Sequence, residues 1–264
     1  MPKVARPVDF EDRLTLIEHL DELRNRIIVS IGVFGVALAV CFWQNKFLLD
    51  LANEPLPEGR TPITFGVAEP FTTTLTISAY AAILITLPFL LYQAYAFVLP
   101  ALSPREKKVI LPFMLMAPFL FIAGVVFAYF VVVPAATEFL LNFNDDQFNI
   151  EIRAREYYSF FALSEIAVGL LFQIPIGILA VTRLGIVTPQ QIAENRRYAV
   201  LGIAVAAMLL PGTDPITMII SMAPLLVLFE GSLLFARLVG TPPPLEDGLE
   251  DDGLEDEAGL EESD

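Results

Sequence analysis

VILPFMLMAPFLFIAGVVFAYFVVVPAAT, residues 109–137, contains no charged side chain and almost no polar one. A helix rises ~1.5 Å per residue and a bilayer core is ~30 Å thick, so roughly 20 apolar residues span it, and this stretch exceeds that. Five more stretches share its character: residues 27–43, 71–104, 157–182, 198–212 and 216–236, with charge only at Glu165 and Glu230. A soluble protein of this size would bury one core and keep polar helix faces, which these segments lack. The pattern predicts an all-α integral membrane protein whose membrane domain, residues 27–238, holds six transmembrane helices. They are expected at about 27–43, 71–98, 109–134, 157–182, 198–212 and 216–236, the last two short. Prolines 88, 112, 118, 134 and 175 would bend these spans into a kinked, concave, cup-like molecule.

With the N-terminus in the cytoplasm, twelve of the 16 basic residues fall on the cytoplasmic side. The positive-inside rule therefore predicts both termini in the cytoplasm, N-in and C-in, across a cytoplasmic (inner or plasma) membrane. Residues 1–26 are too polar for a cleavable signal, so the first span is expected to act as its own targeting signal. The net charge of -15 is concentrated in the tail. Residues 239–264 carry 11 acids, no base and no aromatic ring, leaving -4 on residues 1–240, and read as a disordered acidic cytoplasmic extension.

Cys41 is the single cysteine and His19 the single histidine, so neither a disulfide framework nor a Cys/His metal cluster is expected. No phosphate-cradling glycine loop and no nucleophile elbow appears. The chain is expected to have no catalytic residue, no cofactor, no metal and no nucleic-acid partner.

The chemistry-bearing residues lie beside the spans. Residues 1–26 form the predicted N-terminal cytoplasmic segment, with apolar positions at helical spacing from Phe10, an amphipathic helix leading into the first span. Within it stands His19-Leu20-Asp21-Glu22-Leu23-Arg24-Asn25-Arg26, where Glu22 and Arg26 have the spacing and polarity of a helical ion pair. After the second span comes Tyr92-Gln93-Ala94-Tyr95-Ala96-Phe97, then Pro100-Ala101-Leu102-Ser103-Pro104-Arg105-Glu106. Ser103, Pro104 and Glu106 read as an N-cap, a first helical position and the third-position acid of a capping box.

These two motifs resemble the TatC family of the twin-arginine translocase. So do Ala68-Glu69-Pro70-Phe71, Phe127-Ala128-Tyr129-Phe130, Gly185-Ile186-Val187-Thr188-Pro189, Arg196-Arg197-Tyr198 and Met208-Leu209-Leu210-Pro211, in order over roughly residues 14–238. The resemblance implies a receptor of the Tat export pathway that binds twin-arginine signal peptides of folded cargo. It implies assembly with single-span TatA-like partners, and TatB-like ones where present, in a homo-oligomeric complex driven by the proton-motive force. It places signal-peptide binding at Glu22, Arg24, Phe97 and Glu106. Paired carboxylates suit that ligand, since guanidiniums take them bidentately and lysine does not substitute. The resemblance also sets Pro55, Pro70 and Asp214 on structural positions of the outer loops, where their plain reading is as turn formers.

An ionisable group at membrane depth costs at least ~2.5 kcal/mol, which singles out Glu165. Gln173, followed by Ile174-Pro175, matches a polar position of the family's fourth span; Glu165, eight residues earlier, does not. On one continuous helix the two would lie ~80° apart, bordering one face that should look into the concave cavity or at a partner's span, since a charge facing lipid is costly. Glu230 could pair with Arg237. The rival reading is a secondary transporter with a midplane substrate site, although no convincing internal repeat supports it.

Overall fold

The computed structural model describes residues 10–57, 59–98, 104–148, 150–183, 187–212 and 214–238, and omits the side chains of residues 10–18, 98, 104–110, 113, 114, 183 and 238. The acidic tail, Ser103 and the Gly185-Ile186 motif lie outside the described residues. The described residues are helical almost throughout. The order is α1 (Phe10–Trp43), α2 (Asn45–Asn53), α3 (Glu69–Val98), α4 (Pro104–Phe127), a π-helical turn (Ala128–Val132), α5 (Val133–Asn142), α6 (Ala154–Leu171), α7 (Ile174–Arg183), α8 (Pro189–Glu194), α9 (Arg196–Met208) and α10 (Pro215–Leu238). One isolated parallel bridge, Ile63 with Arg153, is the only strand-like pairing among the described residues.

Among the described residues, five helical segments are long and apolar enough to cross a membrane: His19–Trp43, Glu69–Phe97, Leu115–Asn142, Ala154–Thr182 and Pro215–Arg237. The remaining expected span, residues 198–212, forms α9, whose 13 residues measure about 20 Å and fall short of the others. Apolar side chains cover the outside, Trp43, Phe119, Val36 and Val227 among them, as lipid-facing helices require. Only 6% of the first segment is buried, so α1 leans on the bundle by one edge, along α3.

The prolines act unequally. Pro88, Pro112, Pro118 and Pro224 sit inside helices that continue through them. Pro134 lacks an N–H and its ring crowds the carbonyl four residues back, and the π turn directly before it takes up the mismatch. Pro175 accompanies an outright break between α6 and α7 at Phe172 and Gln173, where Gln173 N–H reaches back only three residues, to Leu170.

The break sits at the centre of the packing. Phe172 joins Val132, Val168, Ile203, Leu225, Phe229 and Leu233 in a core shared by the π turn, α6, α9 and α10. Here α4 meets α6 glycine to glycine: a Cβ on Gly169 would stand 2.6 Å from the Phe121 ring, and one on Gly124 would stand 2.9 Å from Gly169 Cα. A second core, built from Ile77, Val133, Tyr157, Tyr158 and Phe161, gathers α3, α5 and α6 around Ala52 of α2. The bundle thus has a near end, where α1 residues 19–26 meet the last turns of α3, and a far end, where α1 stops and α3 starts.

Candidate functional site

At the near end, α1 and α3 run antiparallel, so residues at the start of one meet residues at the close of the other. Glu22 and Arg26 lie one turn apart on α1 and form the expected helical ion pair, with Arg26 Nε and Nη2 donating to Glu22 Oε1 at 3.0 and 2.5 Å. The guanidinium then reaches across to α3, where Nη1 donates to Gln93 Oε1 at 2.6 Å and Nη2 to the Ala96 carbonyl at 3.4 Å. One turn before Glu22, the His19 ring lies flat on the Phe97 ring, centroids 4.2 Å apart and planes 11° from parallel. Nδ1 of His19 stands 3.8 Å from Glu22 Oε2.

The consequence is a divided carboxylate. Oε1 of Glu22 is held by this chain's own arginine, while Oε2 has His19 as its neighbour among the described side chains, and the side chain remains 34% exposed. A preset acceptor oxygen at the membrane edge, braced from behind by a guanidinium and flanked by an aromatic stack, suits an incoming cation with several N–H donors.

Of the four expected binding residues, the structure brings Glu22 and Phe97 together. Arg24 stands nearby on α1, exposed and outside this hydrogen-bonded set. Glu106 falls on the first turn of α4, which begins at Pro104 as the capping pattern predicts, but its side chain lies outside the described residues. Sequence alone marked Arg26 as the helical partner of Glu22 but did not mark His19 and Gln93 as members of the cluster. Both stand in the two quoted motifs, and the signal available was their polarity at the ends of otherwise apolar segments.

The far end is tied more tightly. Glu69 is buried, accepts from the Phe65 and Gly66 N–H groups at 2.8 and 3.1 Å, and takes Arg153 Nε at 2.8 Å. The hydrogen bond to Glu69 raises the Arg153 pKa still further above its ordinary value, keeping the guanidinium charged. Backbone bonds from Ile63 N–H to the Ile152 carbonyl and from Ala154 N–H to the Ile63 carbonyl stitch the same two loops together. Three tyrosine hydroxyls then catch the end of α2: Tyr129 donates to Glu54, Tyr157 to the Ala52 carbonyl and Tyr158 to Asn53.

Asp214 caps α10, its carboxylate accepting the Thr217 N–H at 2.7 Å and the Thr217 hydroxyl. Pro70 occupies the second position of α3, and Pro55 lies in the turn after α2. For Asp214 the plain expectation is a turn former; the structure adds the cap of α10.

Inside the bundle, Gln173 sits in the α6–α7 break and donates its amide to the Ala117 carbonyl of α4 at 3.1 Å. Its Oε1 is buried without a partner, as is Oε1 of Glu165. Glu165 is only 3% exposed, packed within its own chain. Because the helix is broken between them, their relative bearing is not the 80° of a continuous helix. Glu230 pairs with Arg196 at the start of α9, at 3.1 Å, rather than with Arg237. Among the described residues no group of His, Cys, Asp and Glu could hold a metal ion.

The family described as Sec-independent protein translocase protein (TatC) matches residues 18–224. The Sec-independent protein translocase protein TatC of Carboxydothermus hydrogenoformans is 35% identical over 232 residues, covering 87% of this chain and 96% of that protein. The chloroplastic TATC protein of Pisum sativum is 34% identical over 232 residues, covering 87% of this chain and 66% of the longer plant protein. The crystal structure of the twin arginine translocase receptor TatC in DDM superposes with a TM-score of 0.71 at 32% identity, over 83% of this chain and 99% of that one.

Proposed function

The chain belongs to the TatC family, a multi-pass membrane component of Sec-independent (Tat) protein transport, and from that premise we propose that its near end is the receptor for twin-arginine signal peptides of folded cargo. The observation that carries the reading is the divided Glu22 carboxylate, one oxygen fixed by Arg26, which Gln93 in turn anchors, and the other on the side of His19 in a side chain that stays a third exposed. A signal-peptide guanidinium docks on Oε2, and its neighbour is taken by Glu106, on the helix that starts just beyond α3. Arg24 stands beside the path and helps orient the peptide. The His19–Phe97 stack gives the peptide an aromatic surface for cation–π or apolar contact. In this reading both termini are cytoplasmic, the near end faces the cytoplasm, and the energy comes from the proton-motive force.

Assembly with TatA-like and TatB-like single-span proteins, in a complex holding more than one copy of this chain, completes the function. Gln173 supports the docking of a partner's polar side chain, because the residue is half-buried at the α6–α7 break and its Oε1, covered in this arrangement, has no partner among the described residues; a small opening of the break would offer that oxygen. Glu165 joins such a contact only after α6 shifts, since its carboxyl is covered. The relatives bear the names of translocase components, a transport role rather than catalysis.

The test is binding of a twin-arginine peptide to the solubilised chain, against its Lys-Lys counterpart. Removing one partner of a charged hydrogen-bonded pair costs ~2–5 kcal/mol, so Glu22→Ala and Glu106→Ala should each weaken twin-arginine binding at least ~tenfold. Wild-type affinity in both folded variants, or equal binding of the Lys-Lys peptide, would sink the assignment.

A further inference from the structure

Below the stitched loops of the far end lies a cavity of ≈ 380 Å³ that none of the described residues fills. Its floor is apolar, formed by Leu56, Leu140, Leu141, Ile152 and Phe160. Its rim is charged, formed by Glu151, Arg153 and Glu156. The volume falls in the lower range of small-ligand sites.

Depth and charge together select the occupant. The floor residues of α5 stand on its last turn, and Phe160 stands six residues into α6, so the cavity lies within roughly 9 Å of the helix ends. In a multi-pass membrane protein that is the depth where headgroups give way to acyl chains. A pocket apolar below and charged above is therefore filled from the bilayer, tail down and headgroup up.

The rim then chooses among headgroups. Arg153 is already engaged by Glu69 and, at 3.4 Å, by Glu156. Glu151 and Glu156 are both exposed, so the unsatisfied capacity of the rim is for N–H donors and positive charge. An anionic headgroup meets two carboxylates and is repelled. A choline headgroup is cationic but offers no N–H, whereas an ethanolamine ammonium offers three. We infer that the far end binds one ethanolamine phospholipid, its acyl chain on the apolar floor and its ammonium between Glu151 and Glu156.

The experiment uses the full chain in nanodiscs containing equal parts of phosphatidylethanolamine, phosphatidylcholine and phosphatidylglycerol, released and weighed by native mass spectrometry. One retained ethanolamine lipid per chain is expected, favoured at least ~tenfold over choline and glycerol lipids, the worth of one charged hydrogen bond. Leu140→Trp, which fills the floor, should abolish retention. The surface pair Glu151→Gln/Glu156→Gln keeps the floor intact and serves should the first variant fold poorly; it should retain lipid but lose the preference for ethanolamine over choline. Preferential retention of phosphatidylglycerol, or an unchanged preference in the double variant, would overturn the inference. So would crosslinking from position 140 to a second copy of this chain or to another protein in place of lipid.

Discussion

At the far end, Tyr157 alone ties helices 105 positions apart in sequence, and Glu69 accepts three hydrogen bonds while almost fully buried. At the near end, the hydrogen bonds between the described residues of α1 and α3 pass through one guanidinium beside the His19–Phe97 stack, and the carboxylate behind it stays a third exposed. Both ends use a Glu–Arg pair, yet the carboxylates differ: Glu69 is 7% exposed beside a half-exposed Arg153, whereas Glu22 is 34% exposed beside a more covered Arg26. A buried carboxylate with both oxygens engaged has no capacity left for a ligand, and its loss strands several donors at once. A half-exposed pair adds little to stability and keeps an oxygen for an incoming cation. The ends are built for different tasks: the far end braces the bundle, and the near end recognises.

The largest effect that could break this contrast is at Glu69. Glu69→Ala leaves the Phe65 and Gly66 N–H groups and Arg153 without their acceptor. It should lower the melting temperature more than any near-end variant while the folded fraction still binds a twin-arginine peptide. The buried Cys41, the single cysteine of the chain, supplies the readout, because a thiol-reactive dye reports its exposure on unfolding. If peptide binding fell with Glu69→Ala at temperatures well below melting, the division of tasks would be wrong.

Next in size, Tyr157→Phe deletes a buried hydroxyl and orphans the Ala52 carbonyl, at a cost of ~1–3 kcal/mol. Asp214→Ala removes the cap of α10 and should cost ~0.5–2 kcal/mol. Neither change should touch peptide affinity. Denaturant titration of both variants in detergent checks the order, and a stabilised Asp214→Ala protein would contradict the capping role.

Much of this architecture is written in composition. The apolar stretch at 109–137 dictates a membrane helix whatever its neighbours do, because only helices satisfy their own backbone in lipid. Pro104 marks the start of α4 by sequence alone. The breaks were less legible: five prolines invite them equally, but only Pro134 and Pro175 coincide with a change or interruption of the α-helical pattern, since neighbouring helices decide where a lost hydrogen bond is tolerated. The partner of Glu230 was unreadable for the same reason. Its match, Arg196, comes from the packing of α9 on α10, not from helical spacing. Arg153 sits in a loop of balanced charge where no periodicity marks it, and Glu69 finds it only because the two loops pair through Ile63. At the near end the Glu22–Arg26 pair was legible from its four-residue spacing, whereas Gln93 and the His19–Phe97 stack required α3 to be laid against α1.

The smallest change sharpens the comparison most. Glu22→Gln keeps a side-chain oxygen that accepts from Arg26, so the tie from α1 through Arg26 to Gln93 survives in neutral form. Exposed and half-exposed ion pairs contribute only ~0–1 kcal/mol, and the melting temperature should therefore hardly move. The outward-facing atom changes character, however: in the free protein Oε2 is a charged acceptor, and in the variant the amide presents either nothing or N–H donors to a guanidinium. Affinity for the twin-arginine peptide should fall at least ~tenfold, and the advantage over the Lys-Lys peptide should shrink with it, because a charged bidentate partner is what favours arginine. Unchanged affinity with unchanged stability would reduce Glu22 to an ordinary helical ion pair. Lost affinity together with a large loss of stability would make the near end a brace like the far end, and the contrast between them would disappear.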